Sequence, residues 1–222
     1  MTTTRASGCT PPMPVKITRS LLGYGVLAGP VYVIVVAAQA ATRAGFDPVR
    51  HPASVLANDP LGWIQITNFL VTGAMTIAAG VGVYRAVGYS GARWAGGLIA
   101  GYGIGLIAAG IFRADPVPGF PPGTRSDREL VSMHGMLHLL SAVFAFTCLV
   151  AACFVLAVWF GRARERGWAW FSGSTGVLFA AAFVALPSGW GGAASMLAFT
   201  AAVILAWAWL AAASVFLYHA AH

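Results

Sequence analysis

Hydrophobic residues gather into six long blocks, and the charged residues and most prolines fall between them. A helix rises 1.5 Å per residue, so about 20 apolar residues cross the hydrocarbon core of a bilayer. The pattern predicts spans at about 20–42, 61–84, 94–112, 130–160, 168–186 and 192–218, with polar tails at 1–19 and 219–222. Pro30 falls inside the first block, where a membrane helix tolerates it as a kink. That block is too long for the core of a signal peptide and reads as a retained span. Pro187-Ser188-Gly189-Trp190-Gly191 predicts a tight turn between the last two spans, whereas the connectors at about 43–60 and 113–129 are longer. Trp63, Trp94, Trp159, Trp168 and Trp190 lie near predicted ends, where indole rings anchor helices at the interface. The expected fold is all-α: a polytopic transmembrane bundle of six spans, without a soluble domain, a low-complexity tract or an internal repeat.

Composition agrees. Of 222 residues, 59% are hydrophobic and 9% charged, against roughly a quarter charged in soluble domains. The mean hydropathy of +0.77 points the same way. A net charge of +7 would suggest nucleic acid in a soluble protein. Here the charges sit between apolar blocks and report topology, so no nucleic-acid partner is expected. One side carries Arg5, Lys16, Arg19, Arg85, Arg93, Arg162, Arg164 and Arg166 against Glu165. The other carries Arg43, Arg50, Arg113, Arg125 and Arg128 with Asp47, Asp59, Asp115, Asp127 and Glu129. The basic excess predicts that the first side is cytoplasmic and that both termini lie inside. Cys9, Cys148 and Cys153 suggest no disulfide framework. In the third span Gly97, Gly101 and Gly105 recur every four residues. Such a stripe suits a close-packed helix at the bundle centre or a face for a second copy of the chain.

The polar residues of the spans cluster at one end. Gln39 closes the first span, Gln65 and Asn68 share a face at the start of the second, and His134 and His138 share a face at the start of the fourth. With Asp115 just beyond the third span, they predict a polar pocket, with Gln39, Gln65 and Asn68 as ligand contacts, opening to the non-cytoplasmic face. Interhelical hydrogen bonding is the plainer explanation of the same residues. Two imidazoles at i, i+4 can grip one metal ion. His134 and His138, with His51 or Asp115 as a third ligand and a water in the open position, make an inventory that suits zinc. The proline-rich stretch from Asp115 to Gly123 predicts a stiff outer loop, with Asp115 either capping or paired, or held over the histidines. His219 and His222 belong to the opposite end, and the histidines of the spans share one helix, which disfavours haem. Phosphate-binding glycine loops, GxSxG and CxxC are missing.

Arg50-His51-Pro52-Ala53-Ser54-Val55-Leu56, Gly62-Trp63-Ile64-Gln65 with Asn68-Phe69, and Gly110-Ile111-Phe112-Arg113-Ala114-Asp115 followed by Pro121, His134 and His138 resemble the bacterial domain-of-unknown-function family 998. The resemblance runs from about 20 to 215. It implies a multi-pass protein of the bacterial plasma membrane without an assigned activity. A looser similarity is to the membrane hydrolases that include alkaline ceramidases and adiponectin receptors, whose Ser, Asp and HxxxH surround zinc in seven helices. Ser54, Asp115, His134 and His138 match those residue types, with Ser54 and Asp115 in catalytic roles. This chain departs in having six predicted spans and its serine in a loop. Three functions stay open: a pocket that binds a lipid or small ligand, a zinc-dependent hydrolase of lipids, and a transporter or accessory subunit. A proton-driven transporter would be expected to carry an acid or histidine near the midplane, and the spans hold none there.

Overall fold

A computed structural model describes residues 13–87, 91–124, 131–186 and 192–221. Its helices are α1 (Met13–Thr42), α2 (Trp63–Ala86), α3 (Arg93–Ile111), α4 (Met133–Arg162), α5 (Arg166–Ala185) and α6 (Ala193–Ala220), with a short 3₁₀ helix at Ala53–Asn58. All six α-helices are long and apolar enough to cross a membrane, and the described residues contain no strand. The chain is an all-α, multi-pass membrane protein. Most boundaries fall within three residues of the expected ones. The exception is α1, which starts at Met13 because the polar run through Arg19 continues the helix, with Val15 and Thr18 buried. Pro14 is tolerated there, since the first turn needs no amide donor. At 30 residues α1 is about 45 Å long, more than a hydrocarbon core requires. The predicted turn at 187–191, residues 125–130 with their four charges, Arg5, Cys9 and His222 lie outside the described residues.

Each helix packs on its neighbour in sequence, and α6 returns to α1 and touches α2, so the six close into a ring. Lipid offers no hydrophobic drive between apolar helices, so close approach of backbones does this work. A Cβ on Gly73 would stand 2.8 Å from the Gly103 carbonyl, and one on Gly103 would stand 2.6 Å from the Gly73 carbonyl. Gly80 and Gly96 make the same reciprocal contact one heptad away, at 2.6 and 2.7 Å. These four positions seat α2 on α3. The stripe singled out in the sequence faces α4 instead, and unevenly. Gly105 presses on Ala145 (2.5 Å to an added Cβ) and Gly101 on the Cys148 sulfur (2.9 Å), whereas a Cβ added at Gly97 would meet no other helix within 4 Å.

Between α1 and α6, Gly25 lies against Ser214 and Gly29 against Trp207. Trp209 Nε1 donates to Ser172 Oγ at 3.0 Å, joining α6 to α5. The α4–α5 turn is a Schellman motif, with Glu165 N–H donating to Phe160 O and Arg164 N–H to Gly161 O. Arg164 takes the left-handed position, φ 65°.

Candidate functional site

The two long connectors lie at one end of the ring and form a single cap. Phe120 and the 3₁₀ residues Val55 and Leu56 are fully buried together, flanked by Phe46, Val36 and Val117. His51 ties the connectors. The Asp47 amide can only donate, so Nδ1 of His51 accepts (3.0 Å), and Nε2–H then donates to the Pro118 carbonyl (3.1 Å). Neither ring nitrogen of His51 has a lone pair left for a metal.

Beneath the cap, α1 and α2 are joined by polar side chains. Gln39 Nε2 donates to Gln65 Oε1 (2.8 Å), and Gln39 Oε1 accepts from Arg43 Nη2 (3.1 Å). Arg43 also donates to the Leu61 carbonyl (2.8 Å) and is neutralised by Asp59. Asn68 Nδ2 reaches Tyr32 O (3.3 Å) and Gln65 Oε1 (3.4 Å). Gln39, Gln65 and Asn68 thus converge, but as an interhelical network in which each amide contacts another polar group.

On the opposite side, Asp115 and His138 join the end of α3 to the start of α4. The Asp115 carboxylate accepts the Ser132 amide (2.8 Å) and lies against Gly135, while Ser132 Oγ accepts from the Gly135 amide (3.0 Å). Acceptors at a helix N-terminus satisfy its orphan donors. Nδ1 of His138 faces the carbonyls of Phe112 (2.8 Å) and Ala109 (3.1 Å). Carbonyls only accept, so Nδ1 carries the hydrogen and Nε2 of the neutral ring is left as an acceptor. His134 is exposed and packs edge-on against Phe112. Among the described residues no group of three or more His, Cys, Asp or Glu could hold a metal ion. The zinc expectation on His134, His138 and His51 is unsupported. The physical reason is that spacing along α4 aligned two rings, while carbonyls and an amide engage one of those rings and both nitrogens of His51.

Between the amide network and the α3–α4 junction lies a cavity of about 400 Å³, lined by all six helices and the first connector, with Phe69 the contribution of α2. Its wall is almost entirely carbon, including Val36, Phe69, Leu106, Phe146, Phe183 and Val203. Ser54 lines it from the cap and His138 from the side, and neither Ser54 Oγ nor His138 Nε2 makes a hydrogen bond among the described residues. Tyr32 and Tyr102 also line it and pack on Trp207 (5.2 and 5.6 Å between ring centroids). Tyr32 precedes the end of α1 at Thr42 by ten residues, so the cavity reaches about 15 Å down that helix. Among the described residues no Lys, Arg, Asp or Glu is in its wall. Of the residues singled out in the sequence, Ser54 and His138 reach the cavity, whereas Gln39, Gln65, Asn68, Asp115, His134 and His51 do not. Tyr32, Tyr102 and the apolar lining gave no sequence signal, being ordinary residues spread over six helices.

A family model described as a protein of unknown function (DUF998) matches residues 26–216. No curated protein and no solved structure matches the chain.

Proposed function

Because the chain belongs to the DUF998 family, whose description carries no activity, we propose a function from the cavity itself: it holds a hydrophobic molecule drawn from the surrounding bilayer. One observation carries this reading. Ala37 on α1 and Thr200 and Ile204 on α6 line the cavity and are also exposed, as residues at an open mouth between those two helices would be. Gly25 and Gly29 seat α1 closely on α6, and beyond them the two helices border the cavity. Pro30 follows immediately, at a position that removes one helical hydrogen bond and favours a bend. A volume of about 400 Å³ falls in the range of small-molecule pockets. The basic excess near the helix ends opposite the cap puts this cavity in the outer leaflet of the plasma membrane under our reading.

The test is lipid extraction and mass spectrometry on detergent-purified protein, beside an Ala37→Trp/Thr200→Trp double variant. Both sites are exposed, so bulk there blocks the mouth without filling the core. A hydrophobic compound retained by wild type and depleted at least tenfold in the variant is expected. Equal lipid content in the two proteins would remove the proposal.

A further inference from the structure

The wall chemistry narrows the ligand class, an inference that rests on the cavity reading above. A molecule coming from lipid gains little by burial against carbon, because acyl chains are as apolar as the wall. Selection therefore falls to the few polar atoms and to what charges the wall can bear. Among the described residues it bears none, for no Lys, Arg, Asp or Glu lines it. An ionised head would be stripped of solvent without a counter-charge. His138 supplies an acceptor, because its Nδ1–H is held by the Phe112 and Ala109 carbonyls. Ser54 supplies a hydroxyl that can donate or accept. An uncharged hydroxyl head can donate to Nε2 and exchange a second hydrogen bond with the Ser54 hydroxyl, and it is the smallest group that does both. About 400 Å³ admits roughly a dozen methylene-sized groups, taking the volume of a water, about 30 Å³, for each. We infer that the cavity takes a single-chain amphiphile with an uncharged hydroxyl head, bound by His138 Nε2 and Ser54, in preference to a fatty acid anion.

Scintillation proximity on detergent-purified full-length protein, with tritiated 1-tetradecanol and tritiated tetradecanoate as separate probes at neutral pH, tests this directly. Saturable binding of the alcohol, at least tenfold tighter than the carboxylate, is expected. His138→Asn keeps an amide donor for the α3 carbonyls and deletes the Nε2 acceptor. It should weaken the alcohol about tenfold, the worth of one buried hydrogen bond. Ser54→Ala, in the cap and outside the α3–α4 junction, should weaken the alcohol several-fold and serves if His138→Asn does not fold. Carboxylate bound as tightly as alcohol overturns the head assignment while leaving the cavity reading intact. Alcohol affinity unchanged in a folded His138→Asn protein, or in Ser54→Ala where that protein does not fold, overturns it too. If wild type binds neither probe, the cavity reading itself falls.

Discussion

Among the described residues Arg43 is the most deeply buried arginine or lysine. It is 7% exposed, neutralised by Asp59 and hydrogen-bonded to Gln39 and Leu61. Removing the counter-charge leaves a desolvated guanidinium, which costs roughly 3–5 kcal/mol. Asp59→Asn should therefore destabilise the protein by about that amount in thermal unfolding in detergent, whereas Asp47→Asn, in the exposed Arg50–Asp47 pair, should change stability by less than about 1 kcal/mol. Partners of this kind are invisible in sequence: Asp59 lies 16 residues beyond Arg43, across a connector whose path only the fold defines. The histidines teach the same lesson. Their i, i+4 spacing put His134 and His138 on one face, but spacing says nothing of what each nitrogen already holds. His138 turned out to face the carbonyls that end α3, and that contact gives its free nitrogen a defined character.

At the scale of the helices, lipid imposes a compositional rule that sequence displays openly, which is why all six elements were legible. Their interfaces were legible in part. Gly97, Gly101 and Gly105 announced a close-packed face, yet the helices separate along it, and the heptad pairs Gly73–Gly103 and Gly80–Gly96 went unnoticed because each needs its partner to be seen. The separation gives a sharp contrast between two glycines of the same stripe. Gly105→Ala drives a Cβ into Ala145 and should destabilise by about 1–3 kcal/mol. Gly97→Ala meets open space and should be neutral, or stabilising by up to about 1 kcal/mol through helix propensity. Paired melting curves of the two variants measure the difference, and equal effects would contradict the packing described for α3 and α4.

The whole molecule has a capped end and an end where α1 begins and α6 ends. If the basic excess near the terminal end sets topology, Arg50→Cys in the cap should react with a membrane-impermeant maleimide in intact cells. Arg166→Cys at the α4–α5 turn should react only after permeabilisation. The reverse pattern would move the cavity to the inner leaflet. Charge counting yields an expected orientation that this labelling tests; the cavity had no such signal, since an enclosed space is a property of several helices at once.

The fastening of α6 differs along its length. Its C-terminal half is seated by Gly25 against Ser214, Gly29 against Trp207 and the Trp209–Ser172 hydrogen bond. Its N-terminal half touches its neighbours through aromatic side chains, with Phe199 against Phe146, Phe179 and Phe183. Rings can change rotamer, whereas an apposed backbone cannot yield without separating the helices. The bundle therefore has a compliant flank opposite its glycine-seated α2–α3 seam. On the proposal that the cavity holds a hydrophobic molecule, a bulkier guest is expected to displace the N-terminal half of α6 and to leave its anchored half in place.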